Sequence, residues 1–191
     1  DDLTIRSDTT SAGGQVYEVT STDRSQDVEV LAGHAVEIDR DGKRVVLEDG
    51  SALAYDHLVL APGAHNRKLP APGADLAGVF GMKTQADADA VSERVRAAKN
   101  VVVVGAGFIG LEFASVAAKL GAKVHVLELA DRPMARALSV PTSQRFRAAH
   151  EGWGVTFDFG LGLDSLEGED GEVRRVIASD GRVLAADLVG Y

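Results

Sequence analysis

The sequence predicts an α/β fold: a doubly wound parallel sheet with an added β-meander, preceded by a partial unit of the same build. Three observations predict it. An all-valine run, Val101-Val102-Val103-Val104, leads through Gly105-Ala106-Gly107-Phe108-Ile109-Gly110 into a helical stretch, as a strand, turn and helix would. Short β-branched runs parted by Asp-Gly pairs mark hairpins on both sides of it. Finally, Asp49-Gly50-Ser51-Ala52-Leu53-Ala54-Tyr55-Asp56 returns as Asp180-Gly181-Arg182-Val183-Leu184-Ala185-Ala186-Asp187, sharing Asp-Gly-x-x-Leu-Ala-x-Asp.

Taken in order, residues 1–27 are crowded with Ser, Thr, Asp and Gly and read as loop, apart from the brief alternation Gln15-Val16-Tyr17-Glu18-Val19. Strands are predicted at 28–31, 35–38, 45–47 and 57–60, turning at Asp41-Gly42 and Asp49-Gly50, because Gly takes positive φ without penalty. Leu60-Ala61-Pro62-Gly63 ends the last of these, and the Pro/Gly-rich stretch to Gly81 reads as a connector. A surface helix follows over 84–98, with Thr84 as N-cap, acidic residues early and Arg94, Arg96 and Lys99 late, as the helix dipole prefers. The valine run is apolar on both faces and suits a buried parallel strand. The next helix spans 108–120, closed by Gly121 at C′. A strand at 123–127, a helix at 142–153 and a strand at 155–159 continue the alternation. Strands at 173–178, 183–184 and 188–191 complete a second meander around Asp180-Gly181, with Phe146 and Trp153 expected in the core.

Composition narrows the function. The 191 residues carry 20 Lys and Arg against 29 Asp and Glu, a net charge of −9, with 45% hydrophobic residues and no Cys. A chain of this length can bury a core without covalent staples. Absence of Cys removes disulfides, thiolate metal sites and iron–sulfur clusters carried by this chain, and the cytoplasm is the default compartment. An acidic balance without a basic stripe argues against nucleic acid or anionic membrane as principal partner. No run approaches the roughly 18 apolar residues of a membrane helix. The five His show no metal-ligand spacing, and no nucleophile elbow is present, so no metal site is expected.

The repeat reads either as hairpins converging on Asp-Gly turns or as two similarly built domains, divided as 1–84 and 85–191. The counterpart of the Gly105 motif would fall before residue 1, so the first domain is expected to lack its N-terminal βαβ. The second stops inside its closing strand, and the chain reads as a fragment, with exposed strand edges that favour self-association.

Gly105-x-Gly107-x-x-Gly110 is a dinucleotide fingerprint by context more than by string, since 21 glycines in 191 residues produce the spacing by chance in roughly one such chain in four. It follows a strand, opens a helix, and has Glu128 23 residues on, at the end of the next strand. These are the parts of a Rossmann-type βαβ unit. Gly105 permits the tight turn, Gly107 lets backbone approach a pyrophosphate, and Gly110 permits close helix–strand packing. Phe108 and Ile109 open the helix whose N–H groups face the anion. Glu128 can accept from the ribose hydroxyls and repel a 2′-phosphate, favouring NADH over NADPH, against Arg132 and Arg136 nearby. Glu112, on the first turn of the helix, either faces the nicotinamide end or is a solvent-exposed dipole partner.

These residues resemble the FAD- and NAD-dependent ferredoxin and rubredoxin reductases of the pyridine nucleotide-disulfide oxidoreductase superfamily, most specifically over 101–136. The resemblance implies an FAD domain interrupted by an NAD domain, each with a meander, and an enzyme that takes a hydride from NADH onto FAD and passes electrons to a small iron–sulfur ferredoxin or rubredoxin-type acceptor. It implies that Glu112 lies near the nicotinamide and is the catalytic candidate, with Arg136 and Gly190 in the NAD site. It implies flavin contacts at Ala35, Ala61, Gly63 and Lys83, where Pro62 stands in place of the family's Thr and Lys83 in place of its Arg. The family's first glycine-rich motif has no counterpart here, so the chain is expected to keep mainly the NADH site. The alternatives are a non-catalytic dinucleotide-binding module and an inactive truncated scaffold.

Overall fold

The computed structural model describes residues 3–9, 15–21 and 31–191. The chain parts into two compact units, Asp1–Gly63 and Ala64–Tyr191. In the first, β1 (Leu3–Thr9) and β2 (Gln15–Ser21) pair antiparallel, with Ile5 opposite Val19 and Ser7 opposite Tyr17. The expected loop over 1–27 is thus corrected for these segments. Their Thr residues, which weighed toward loop, are β-branched and favour extended backbone as Val does.

A second antiparallel sheet joins β3 (Ala35–Asp39), β4 (Arg44–Leu47) and β5 (Ala52–Ala54). Its first turn is fastened by Asp39, whose carboxylate accepts from the Gly42 N–H and the Arg44 guanidinium, both at 2.7 Å. The second turns on Gly50 at φ +84°, with the Gly50 N–H donating to Leu47. Residues 28–30, expected as strand, lie outside the described residues, and Leu31 is in no strand. The strand expected at 57–60 does not form: Val59 is 89% and Leu60 66% exposed. A strand exists through its ladder, and among the described residues none offers this segment a partner.

The second unit is built in three layers. Its sheet is wholly parallel, in the order β6 (Val79–Phe80), β13 (Leu188–Gly190), β7 (Asn100–Val104), β8 (Lys123–Glu128), β9 (Thr156–Phe159). On one face lie α1 (Gln85–Ala97), α2 (Phe108–Lys119) and α3 (Val140–Gly152). On the other lies the antiparallel meander of β10 (Leu163–Glu169), β11 (Glu172–Ala178) and β12 (Val183–Ala185). The valine run serves both interfaces. Val101 and Val103 pack with Leu111, Ala114 and Ala117 on the helix side, and Val102 packs with Leu166, Val173 and Val176 on the meander side. Each buried valine contributes about 1.5–3 kcal/mol of hydrophobic stabilisation.

Helix ends follow their local chemistry. Thr84 and Asp87 form a reciprocal capping box on α1, Gly121 at φ +94° follows α2, and Pro141 sits in the first turn of α3. Four expectations are corrected. Residues 188–191 do not complete the meander: β13 enters the parallel sheet between β6 and β7. The meander's third strand is β10, joined to β11 by Asp170-Gly171, both at positive φ, as a two-residue hairpin turn requires. Residues 64–84 lie with the second unit, ahead of the expected boundary, because Leu69, Ala71, Ala74, Leu76 and Val79 pack on its meander-side core. Trp153 (57% exposed) and Phe146 (39%) are outside the core, Trp153 resting against the His150 ring at 4.9 Å.

At the edge of the sheet, Asp158 on β9 accepts from the His125 imidazole on β8 and from Arg182 at 3.0 Å, tying two strands to the β11–β12 turn. Desolvation by itself would raise the Asp158 carboxyl, but the hydrogen bonds from His125 and Arg182 outweigh it and hold the group below its ordinary 3.8. A depressed carboxylate stabilises the fold above its unfolded value, and that stability is lost as pH falls through the folded one. Asp158→Asn is therefore expected to lower the urea midpoint at neutral pH and to flatten its decline below about pH 4. An acid limb unchanged from the wild type would contradict this.

Candidate functional site

The site forms where β7 gives way to α2. Gly105 adopts φ +103°, closed to other residues, and its N–H donates to the Leu127 carbonyl at 2.8 Å, tying the turn to β8. Gly107 is the N-cap of α2. A Cβ added at Gly105 or Gly107 would meet nothing within 4 Å, so both face open space. At Gly110 the reverse holds: an added Cβ would overlap the Gly105 carbonyl oxygen and press on Val103. The third glycine thus lets α2 start directly against β7. The N–H groups of Gly107, Phe108 and Ile109 have no acceptor among the described residues. They are the free donors of a helix N-terminus, aligned with its dipole.

Glu128 closes the site from the end of β8. One carboxylate oxygen accepts the Ala106 N–H at 2.6 Å and the other the Ala130 N–H at 2.7 Å. Its position is fixed by backbone, and each oxygen keeps a second lone pair for a ligand hydroxyl. A cleft of about 310 Å³ runs between the glycine-rich turn and the loop after β8, lined by Gly107, Phe108, Glu128, Met134 and Arg136 among others. Gly105, Gly107, Phe108, Ile109, Gly110, Glu128 and Arg136 are therefore brought together. Glu112 lies one turn further along α2, exposed and on the same face as Phe108. Gly190 ends β13 against Phe113 and Met82, with no room for a side chain. Lys83 is exposed beside the α1 cap, its backbone N–H donating to Asp87 at 3.0 Å. Ala35, Ala61 and Gly63 belong to the first unit, where every described side chain is at least partly exposed.

Ala106 and Met134 were not singled out by sequence reasoning. Ala106 is fully buried and makes hydrogen bonds through both its backbone groups, to Glu128 and to Met134. The motif's spacing names the glycines but says nothing of the residue between them. Among the described residues no cluster of His, Asp and Glu could hold a metal ion, and no helix is long and apolar enough to cross a membrane.

The turn combines a side-chain-free cradle, free amides at a helix N-terminus and a backbone-fixed carboxylate at the end of the next strand. Gly110→Ala is expected to cost about 1–3 kcal/mol of stability by overpacking as α2 is pushed off β7, seen as a lower urea midpoint. An unaltered midpoint would contradict the close approach.

Rhodocoxin reductase from Rhodococcus erythropolis is 46% identical over 154 residues, covering 81% of this chain and 36% of that protein. The ferredoxin-NAD(+) reductase component of the biphenyl dioxygenase system of Paraburkholderia xenovorans is 36% identical over 193 residues, covering 98% of this chain and 47% of its own. Among solved structures, the ferredoxin reductase for the CYP199A2 system from Rhodopseudomonas palustris matches with a TM-score of 0.78 at 41% identity, over 87% of this chain and 41% of that one. The chain thus spans less than half the length of these relatives. A family match described as pyridine nucleotide-disulphide oxidoreductase runs over residues 4–191, taking in both units, and the chain belongs to that family.

Proposed function

We propose that this chain carries the NADH site of a flavoprotein reductase that passes electrons from NADH through FAD to a small iron–sulfur ferredoxin or rubredoxin-type protein. The observation that carries the reading is the Gly105–Gly110 turn with the free amides of Gly107, Phe108 and Ile109, faced by the backbone-fixed carboxylate of Glu128. The acceptor is supported by relatives: rubredoxin-NAD(+) reductase of Pseudomonas putida is 38% identical, and the putidaredoxin reductase of a covalent complex with putidaredoxin matches with a TM-score of 0.72.

NADH, when bound, supplies a hydride. The chain's own residues bind and orient it. Gly107, Phe108 and Ile109 donate to the pyrophosphate, replacing water at the helix N-terminus. Glu128 accepts from the adenosine ribose hydroxyls, and its charge, held in place by two N–H groups, opposes a 2′-phosphate. Arg136 lines the same cleft but is exposed, and screening weakens its pull on that phosphate. Glu112, exposed one turn along α2, is the proposed contact to the nicotinamide end, and Gly190 at the end of β13 leaves the room that the Phe113 and Met82 side chains occupy.

For FAD the described residues do not by themselves fit. The sequence holds one G-x-G-x-x-G, and it belongs to the NADH site. Ala35, Ala61 and Gly63 of the first unit, and separately Lys83 of the second, stand as flavin contacts on the resemblance alone, and no step is assigned to them.

Calorimetric titration of the chain with NADH, and with NADPH beside it, tests the reading. Saturable NADH binding at least tenfold tighter than NADPH, about 1.4 kcal/mol, is expected. Glu128→Ala should erase most of that difference. Equal affinities would refute the role of Glu128, and no heat with either would refute the site.

A further inference from the structure

We propose that Met134 is a positioning residue for the dinucleotide, holding the glycine-rich loop through its backbone while Glu128 holds the same loop from the other polar group of Ala106. The inference rests on the NADH reading above and adds a residue to it. Ala106 sits between the two functional glycines with no solvent exposure. Its N–H is taken by Glu128 at 2.6 Å, and its carbonyl accepts the Met134 N–H at 2.9 Å. Both polar groups of the loop's buried residue are therefore occupied by elements outside the loop. The flanking glycines inherit a fixed orientation, and the amides of Gly107, Phe108 and Ile109 are aimed before any ligand arrives.

Met134 occupies a conformation that needs explaining. Its φ is +50°, left-handed backbone that a non-glycine residue keeps only where its surroundings over-determine it, and such residues gather at ligand sites. The surroundings here are specific. The Met134 carbonyl accepts from the N–H groups of Ala137 at 2.9 Å and Leu138 at 3.0 Å. Its side chain, 6% exposed, is part of the helix-side core. The preceding Pro133 carbonyl accepts from the fully buried Ser143 hydroxyl of α3. Core packing, α3 and a local turn thus combine to aim one N–H at Ala106. The same loop lines the cleft through Met134, Ala135, Arg136 and Ala137, so a ligand there leans on the clasp that shapes it.

The two arms of the clasp have separable signatures. Glu128 also meets the ribose, so replacing it changes the preference between NADH and NADPH. Met134 lines the cleft but carries no charge, so breaking its arm weakens both ligands alike and leaves their ratio nearly unchanged. Met134→Pro removes the N–H and excludes positive φ. It is expected to weaken NADH and NADPH each by about three- to tenfold, the loss of one backbone hydrogen bond, measured by calorimetry on the intact chain. Met134→Gly, which keeps the N–H and allows the positive φ but removes the buried side chain that packs the loop, should show a smaller loss of the same kind. Hydrogen exchange on the wild type needs no variant: saturating NADH should slow exchange of the Met134 amide, because binding tightens the loop it holds. Unchanged affinities in both variants, a shifted NADH-to-NADPH ratio in Met134→Gly, or a Met134 amide indifferent to NADH would each overturn the proposal. If the wild type bound no NADH, the functional reading itself would fall and take this inference with it. NADH binding in the wild type with unaffected variants would remove Met134 alone.

Discussion

The second unit depends on how closely α2 is allowed to leave β7. At Gly110 a single methyl group would collide with the Gly105 carbonyl, so the helix can begin against the strand only because nothing projects there. That closeness sets the rest. It packs Leu111, Ala114 and Ala117 onto Val101 and Val103. It also brings the positive end of the helix dipole, with its unpaired N–H groups, to the carboxyl edge of a parallel sheet. In open α/β sheets this edge is where ligands bind.

A loop made of glycines would by itself be the most mobile part of such a site, since glycine loses the most backbone freedom on ordering. Here the cost is met by polar contacts from outside the loop. Leu127 receives the Gly105 N–H, Glu128 the Ala106 N–H, and Met134 supplies a donor to the Ala106 carbonyl. The carboxylate proposed to read the ribose is thus also structural: it fixes the backbone at Ala106 and Ala130. The core beneath keeps these elements in register, because β8 is bonded along its length to β7 and β9.

What was legible in the sequence was what is decided locally. The valine run, the glycine-rich turn, the N-cap at Thr84 and the stop at Gly121 each state their structure within a few residues, and each formed as read; the reciprocal bond to Asp87 that completes the cap was not read. The placement of 188–190 was not local: three apolar residues after an Asp-Gly hairpin look alike whether they close a meander or enter a parallel sheet, and only pairing with β6 and β7 decides. Residues 57–60 failed for the same reason in reverse, a strand-like run without a partner among the described residues. β10 was missed although Asp170-Gly171 was there to announce it, because its Asp, Glu and Gly content hid the alternation. The αL backbone of Met134 carries no local signal, and the exposed Trp153 shows that an aromatic at a helix end need not be core.

The most direct test of the account is residue-by-residue mapping of the amides by nuclear magnetic resonance as NADH is added to the chain. The account predicts the largest shifts at Gly107, Phe108 and Ile109, smaller ones at Ala106 and Ala130, whose N–H groups are already bonded to Glu128, and none at the distant helix end around Trp153. Shifts centred on Trp153, or a glycine-rich turn unmoved at saturating NADH, would contradict it.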